Sequence, residues 1–111
     1  MDYRQISDDY AVAGQIAETD IAEIKAAGYR SIICNRPDDE QPGQPSAAEI
    51  AAAAEAADIV FRHIPFVSGQ MTDDDVHAMA AALDEIPGPV FAYCRSGARS
   101  TNIYMAAKQT G

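Results

Sequence analysis

The sequence predicts a single α/β domain over residues 1–111, built on a mostly parallel sheet of four to five strands flanked by helices. Short apolar runs alternate with helical patterns along the chain, and several of these runs carry the β-branched residues typical of buried parallel strands. A chain of 111 residues has room for one hydrophobic core. Its composition, 48% apolar and 23% charged, is that of an ordinary globular domain.

The first half of the chain contains three predicted strands and two predicted helices. Thr19 is predicted to cap the first helix, and Gly28, which accepts a left-handed backbone, is predicted to end it. Ser46 and Glu49 have capping-box spacing, which indicates the start of the second helix. The predicted elements are strands over 3–7 and 10–14, a helix over 19–28, a strand over 29–34, a proline-rich loop over 35–45 and a helix over 46–58.

The second half repeats the strand and helix pattern twice. Thr72 is predicted to cap the third helix, and the acidic run 73–75 suits the positive end of a helix dipole. The predicted elements are a strand over 59–66, a helix over 72–86, a strand over 88–94 and a last helix over 99–111. This alternation favours strands that run parallel to one another.

The charge balance limits the partners of the domain. A net charge of −9, from 17 acidic and 8 basic residues, argues against nucleic-acid and anionic-membrane surfaces, which require a basic footprint. The N-terminal segment lacks the features of a secretory signal, and no apolar run approaches the roughly 20 residues that span a bilayer. We therefore expect a cytoplasmic domain whose two cysteines, Cys34 and Cys94, are reduced thiols.

The segment "CRSGAR", residues 94–99, joins the last strand to the last helix. Gly97 permits a tight turn with inward-pointing N–H groups, and the helix start adds its positive end. With the guanidinium of Arg99, these groups favour a nucleophilic thiolate at Cys94. Cys94 and Arg99 are thus the predicted catalytic residues. The predicted anion-binding loop comprises Arg95, Ser96, Gly97, Ala98 and Ser100, the last as a further donor to the sulfur.

The segment "CRSGARS", preceded by "PVFAY", resembles the catalytic loops of cysteine-dependent phosphatases and rhodanese-type sulfurtransferases. The order of "YAVAGQI", "IKAAGYRSIICNRPDDE" and "FRHIPF" is similar to that of dual-specificity phosphatases. More narrowly, "NRPDDEQPGQPS" and "YCRSGARS" resemble the phosphatase-like domain of the beta-lactamase-hydrolase-like family. This resemblance implies a three-layer, protein-tyrosine/dual-specificity-phosphatase-like fold. Family members occur alone or joined to a persulfide dioxygenase of metallo-β-lactamase type, which implies such a dioxygenase as a partner.

Two departures from the phosphatase pattern favour sulfur transfer. Four residues separate Cys94 from Arg99, one fewer than in the phosphatases that the loop resembles and equal to rhodanese-type loops. A phosphatase also needs an acid to protonate its leaving group, and segment 67–71, where related enzymes carry an aspartate, has none. The remaining candidate acids are Asp38, Asp39, Asp73, Asp74 and Asp75; the last three are also what a helix N-terminus requires.

The main prediction is a sulfurtransferase that takes sulfur from a small anion such as thiosulfate or a persulfide and carries it as a persulfide on Cys94. The alternative is a phosphatase that attacks a phosphate ester with the same cysteine. A second alternative is a non-catalytic domain that binds anions or senses redox state. No cofactor is expected under any of the three hypotheses.

Four residues outside the loop have side chains that could contribute to the site. Arg36 is a candidate contact to the substrate anion, or a solvated arginine paired with neighbouring acids. Cys34 ends a strand expected to lie beside the last strand, and is either a resolving cysteine for oxidised Cys94 or a buried structural residue. His63 is expected to be structural and His77 to lie on the surface, and no metal site is predicted. The side chain of Arg95 is expected to face solvent or the distal end of the substrate.

Overall fold

The computed structural model describes residues 1–110, which form a five-stranded sheet covered by helices on both faces. The strands are β1 (Tyr3–Ser7), β2 (Tyr10–Ala13), β3 (Ser31–Cys34), β4 (Val60–His63) and β5 (Val90–Tyr93). The helices are α1 (Ile21–Ala26), α2 (Ala47–Ala56), α3 (Asp73–Glu85) and α4 (Ala98–Thr110). The predicted α/β class and mostly parallel sheet are confirmed.

The strand order β1-β2-β5-β3-β4 places β5, the strand that leads into the "CRSGAR" segment, at the centre of the sheet. Strand β1 pairs antiparallel with β2, and every other pairing is parallel. Strands β3 and β5 are neighbours, with Cys34 opposite Tyr93. Parallel strands end at the same edge of a sheet, so the loops after β2, β3, β4 and β5 leave at one edge.

Alternating side chains of the strands divide the core into two clusters. On one face, Ile32 and Phe91 are fully buried against α1 and α2, which contribute Ile24 and Ile50. On the other face, Ile33, Val90 and Ala92 pack with α3 and α4 through Met79 and Ile103. Side chains on a strand point alternately to the two faces, so a buried central strand such as β5 serves both clusters.

The start of the first helix differs from the sequence prediction. Thr19 was expected to be the N-cap, but it lies inside a short 3-10 turn, Glu18–Asp20, that precedes α1. The carboxylate of Asp20 accepts a hydrogen bond of 2.8 Å from the backbone N–H of Ala17, and thereby ties the turn to the chain before it. Gly28 has a φ of +101°, the left-handed conformation expected for the residue that ends a helix.

The fourth strand is shorter than the predicted run 59–66. It lies at the edge of the sheet, and pairing stops at His63. Beyond it, the backbone N–H of Ile64 donates to Cys34 O at 2.9 Å and that of Phe66 donates to Asn35 O at 3.4 Å, so the chain stays beside the end of β3. The two predicted caps of α2 and α3 are present, since Ser46 accepts from the N–H of Glu49 and Thr72 from that of Asp75. Within residues 1–110 no helix has the length and apolar character of a membrane span.

Candidate active site

The segment between β5 and α4 encloses the sulfur of Cys94. Gly97 has a φ of +94°, which only glycine adopts without strain, and its backbone N–H points at Cys94 Sγ from 3.1 Å. Helix α4 starts at the next residue, Ala98, so its positive end lies beside the sulfur. Cys94 itself is fully buried. The chain therefore forms a small nest of N–H groups around one thiol.

The electrostatics of this nest favour a thiolate. Burial acts to raise the pKa of Cys94, but hydrogen bonds from the backbone N–H groups of Ser100, Ser96 and Gly97 outweigh it and lower the pKa below the ordinary value of a thiol. The hydroxyl of Ser100 adds to this lowering. That hydroxyl is buried and has no partner in hydrogen-bond geometry within residues 1–110, so it is free to rotate towards the sulfur.

Close contact with the end of β2 supports the nest from below. A methyl group added at Gly14 would lie 2.9 Å from the backbone oxygen of Arg95, which is closer than van der Waals contact allows. The same strand supplies Ala13 O, which accepts a hydrogen bond from the backbone N–H of Cys94 at 3.2 Å. A side chain at position 14 would therefore displace the segment that carries the sulfur.

Arg99 is held by a carboxylate that the sequence analysis did not single out. Its two terminal nitrogens donate to the two oxygens of Glu40, each at 2.8 Å, and Nη1 also donates to Phe66 O at 3.1 Å. The pairing with Glu40 raises the pKa of Arg99, and interaction with the sulfur of Cys94 raises it further. The guanidinium thus interacts with both Glu40 and the candidate nucleophile.

Arg36 shares the same carboxylate. Its Nε donates to Glu40 Oε1 at 2.8 Å, while its terminal nitrogens donate to the side chains of Gln15 and Gln41. The side chain is 2% exposed, so the expectation of a solvated arginine paired with Asp38 or Asp39 is wrong. Each of the three guanidinium nitrogens thus donates to a side chain of its own loop or of the loop after β2, which makes Arg36 a support for Glu40.

The carboxyl groups predicted as candidate general acids either cap helices or lie exposed on the surface. Asp38 accepts a hydrogen bond from the backbone N–H of Ala47 at 2.8 Å and so caps α2. Asp75 closes the capping box of α3 with Thr72. Asp73 and Asp74 lie exposed in the first turn of α3, and Asp39 lies exposed in the loop after β3. None of these five lines the cavity described next.

A cavity of about 350 Å³ opens above the nest. Arg95, Ser96 and Arg99 form one side of it, and Val67 and Ser68 form the other. Among residues 1–110, Glu40 contributes the one carboxylate in its wall. Hydrogen bonding to Arg99 lowers the pKa of Glu40 to about 2, with Arg36 contributing, so this carboxylate is ionised near neutral pH. The cavity has the size of a site for a small anionic molecule and the chemistry to hold one.

Cys34 lies next to the nest but faces a different environment. It is buried, and its thiol donates to the backbone oxygen of Arg36 at 3.3 Å. Burial is the main cause that raises its pKa, so Cys34 is a thiol where Cys94 is predisposed to be a thiolate. His63 Nε2 lies 2.9 Å from that same oxygen, the structural contact expected of this histidine, and His77 is exposed on α3.

Glu40, Gln15 and Gly14 are the residues that sequence reasoning missed. Glu40 sits in the run "PDDEQPGQP", where adjacent acids and prolines suggested a solvated loop. Arg36 and Glu40 have the i, i+4 spacing of an ion pair on a helix. Because this segment is predicted to be a loop, that spacing does not predict a contact between them. Within residues 1–110, no cluster of three or more His, Cys, Asp or Glu residues has the geometry to hold a metal ion.

Sequence comparison relates nearly the whole chain to one family. Residues 2–111 match the family described as "Beta-lactamase hydrolase-like protein, phosphatase-like domain". A beta-lactamase hydrolase-like protein of Agrobacterium fabrum is 37% identical over 101 residues, which are 91% of this chain and 23% of that protein. The chain therefore spans about a quarter of the length of the curated relatives that it matches.

Structural comparison agrees with the sequence comparison. A protein of Neisseria meningitidis described as a "putative phosphatase" superposes with a TM-score of 0.84 at 30% identity, over 91% of this chain and 72% of that one. A protein of the same description from Shewanella putrefaciens also reaches 0.84, at 21% identity, over 97% of this chain and 69% of that one. The predicted protein-tyrosine-phosphatase-like fold is confirmed.

Proposed function

For a chain that belongs to the phosphatase-like domain family of beta-lactamase hydrolase-like proteins, we propose that it hydrolyses a small phosphate ester through a covalent intermediate on Cys94. The chain is a cysteine-dependent phosphatase-like enzyme. The single observation that carries the proposal is the nest itself, in which backbone N–H groups lower the pKa of Cys94 next to an anion-sized cavity lined by Ser96, Ala98 and Arg99 of the same segment. This choice reverses the preference drawn from the sequence, because the family is described as phosphatase-like and the two structural relatives reported above are each described as a "putative phosphatase".

The geometry supports a two-step reaction. The thiolate of Cys94 attacks phosphorus as the bond from phosphorus to the leaving oxygen breaks, and the leaving group departs with the electron pair of that bond. The N–H groups of Ser96, Gly97 and Ser100, which surround the sulfur, can stabilise the charge that passes from sulfur to the phosphoryl oxygens. Arg99, held by Glu40, supplies a cation beside the sulfur. Water then attacks the phosphocysteine, releases phosphate and restores the thiolate. The N–H groups that stabilise the Cys94 thiolate before the attack thus stabilise it again when the phosphocysteine is hydrolysed.

Sulfur transfer is a second candidate, and the short loop favours it. Four residues separate Cys94 from Arg99, and the N–H of Gly97 is directed at the sulfur itself from 3.1 Å. A nest this small is suited to a single outer sulfur atom bonded to Cys94 as a persulfide, with thiosulfate or another persulfide as the sulfur donor. The known relatives do not support this main prediction from the sequence, and we retain it because of the loop alone.

A paired assay on the purified chain distinguishes the two candidates. One arm follows p-nitrophenol released from p-nitrophenyl phosphate, and the other follows thiocyanate formed from thiosulfate and cyanide. Cys94→Ser is the test variant, and Cys34→Ser is the control that leaves the nest thiol in place. We expect phosphate hydrolysis that Cys94→Ser abolishes. Thiocyanate formation that depends on Cys94, with no hydrolysis, would overturn the proposal in favour of sulfur transfer.

Two wider proposals concern the whole protein. Because the chain covers 23% of its A. fabrum relative, and because the family resemblance noted above includes fusions to a persulfide dioxygenase, we propose such a dioxygenase as a partner. Co-purification of the two proteins from cells would test this.

The two free cysteines support a reducing, cytoplasmic location, which cell fractionation would test.

A further inference from the structure

Arg95 is a cation at the mouth of the site that the mechanism above does not use. Its side chain is exposed, it lines the cavity of about 350 Å³, and no residue among 1–110 forms a hydrogen bond or ion pair with that side chain. The other two arginines near the site are engaged by Glu40. In a chain of net charge −9, an arginine left unpaired beside the nucleophile is available for an anion brought by the substrate.

We propose that the substrate is a phosphoanhydride, in which Cys94 takes the terminal phosphoryl group and Arg95 receives the phosphate that leaves. This inference rests on the proposed phosphatase function and names its substrate class. Two separate features of the site support it: the positive charge at the mouth of the cavity, and the ionised carboxylate of Glu40 in the cavity wall.

The charge of the mouth fits two adjacent anionic groups. Arg95 and Arg99 line the cavity, and the charge of Glu40 is balanced by the buried Arg36 that shares it, so two positive charges are left at the mouth. Transfer of one phosphoryl group engages the nest and Arg99. The remaining cation, Arg95, directly follows Cys94 in the chain, so it lies on the rim of the same cavity and not on a distant surface. A substrate with a second phosphate next to the first satisfies both cations.

The ionised carboxylate of Glu40 in the cavity wall also favours phosphate as the leaving group. An alkoxide must be protonated as it leaves, which requires a carboxylic acid that still holds its proton near neutral pH. Glu40 does not, because the hydrogen bonds from Arg99 and Arg36 keep its pKa near 2. A phosphate leaves as a stable anion without receiving a proton. The site is therefore built for a leaving group that is charged and already stable.

The step balances without a further reactant. The sulfur–phosphorus bond to Cys94 forms as the bond from phosphorus to the bridging oxygen breaks, and that oxygen leaves with the electron pair as a phosphate held by Arg95. Water then attacks the phosphocysteine, and the sulfur–phosphorus bond breaks with its electron pair returning to sulfur. One proton of the water stays on the released orthophosphate and the other goes to solvent. No oxidation or reduction takes place.

The experiment compares three phosphate compounds with the purified chain in EDTA, which silences contaminating metal-dependent pyrophosphatases. The compounds are inorganic pyrophosphate, p-nitrophenyl phosphate and β-glycerophosphate, and Cys94→Ser corrects for background. We expect kcat/KM for pyrophosphate to exceed that for β-glycerophosphate by about 100-fold or more, the scale of a missing proton donor. Arg95→Ala should lower the ratio of pyrophosphate to p-nitrophenyl phosphate activity by about tenfold, whereas Arg62→Ala, at an exposed arginine on β4, should preserve it.

The outcomes separate this inference from the proposed function. If none of the three compounds is hydrolysed in a reaction that requires Cys94, the phosphatase function is wrong, and the inference that rests on it is wrong too. If p-nitrophenyl phosphate is hydrolysed but pyrophosphate and β-glycerophosphate react equally, or Arg95→Ala lowers all rates alike, only the inference is overturned. Thiocyanate formation from thiosulfate that needs Arg95, without pyrophosphate hydrolysis, would assign Arg95 to the departing sulfite and likewise overturn it.

Discussion

Both terminal nitrogens of Arg99 donate to the carboxylate of Glu40, and each of the two hydrogen bonds is 2.8 Å long. The two residues are 59 positions apart in the sequence. This pairing connects the loop after β3 to the first turn of α4, and it fixes the plane of the guanidinium beside Cys94. A bidentate pair of this kind restrains orientation as well as charge. Glu40 is thus a positioning residue for the candidate catalytic arginine.

The first prediction concerns that positioning role. In Glu40→Gln, one oxygen is replaced by an NH₂ group that cannot accept from Arg99, so the guanidinium loses its fixed plane. We expect kcat/KM for p-nitrophenyl phosphate to fall by about tenfold, with the larger part of the change in KM because the anion is bound by a less ordered arginine. Glu49→Gln, in the first turn of α2, is the matched control. A Glu40→Gln enzyme with an unchanged KM would contradict the positioning role.

The second prediction is a pH dependence of stability. The folded-state pKa of Glu40, about 2, lies below its ordinary value of 4.5, so its ion pairs stabilise the fold fully above pH 4.5 and progressively less as the pH falls towards 2. Wild type should therefore lose more thermal stability between pH 5 and pH 2.5 than Glu40→Gln does. Circular dichroism melts of both proteins across that range provide the measurement. Parallel curves would show that the pairing contributes nothing to folding.

The third prediction concerns the thiolate. Because N–H groups and the Ser100 hydroxyl lower the pKa of Cys94 while burial raises that of Cys34, the thiolate absorbance near 240 nm should appear in two steps as the pH rises. Cys94→Ser should remove the lower step, and Cys34→Ser the upper one. Ser100→Ala should move the lower step to higher pH, since it removes one donor to the sulfur. A lower step that does not move would exclude the hydroxyl as a donor.

The fourth prediction tests the contact beneath the nest. Gly14→Ala introduces a methyl group that would lie 2.9 Å from the backbone oxygen of Arg95, so the nest must shift to relieve the overlap. We expect at least a tenfold loss of Cys94-dependent activity with a small change in melting temperature, because the overlap is with the backbone of Arg95 and Ser96, which are exposed. Gly88→Ala, where no heavy atom lies within 4 Å of an added methyl, is the control and should retain activity.

The fifth prediction is a reversible disulfide between Cys34 and Cys94. Cys34 is opposite Tyr93, the residue before Cys94, so the two Cα atoms are roughly 6 Å apart by strand geometry, within the disulfide range. Because Cys34 and Tyr93 pack in the same core cluster and successive side chains alternate in direction, the segment after β5 must turn Cys94 towards Cys34 for the bond to form. Peroxide oxidises the Cys94 thiolate to a sulfenic acid, and the Cys34 thiol displaces water from it. Mass mapping after peroxide treatment should find the linked peptides, and a thiol reductant should restore activity. Irreversible loss of activity in wild type, as in Cys34→Ser, would rule out a resolving role.

The sequence by itself determined most of the secondary-structure elements and the candidate nucleophile, Cys94. Apolar runs separated by caps at Ser46 and Thr72 predict the strand and helix order, because these are local interactions between residues a few positions apart. The tight turn at Gly97 and the start of α4 are also local, so the nest around Cys94 could be expected from "CRSGAR" alone. The 3-10 turn at Glu18–Asp20 and the short β4 could not, since packing and sheet pairing decide where an element stops.

Only the tertiary structure decided which side chains surround the candidate nucleophile. Sheet order brings the loops after β2, β3 and β4 to one edge, where Gln15, Glu40 and Phe66 meet the two arginines. Nothing in the acidic run around Glu40 distinguishes the residue that Arg99 binds from its solvated neighbours. Charge pairing across the sheet edge depends on three-dimensional distance, which the spacing of residues along the chain does not encode. The same distances leave Arg95 unpaired at the mouth of the cavity, within residues 1–110, while its neighbours are engaged.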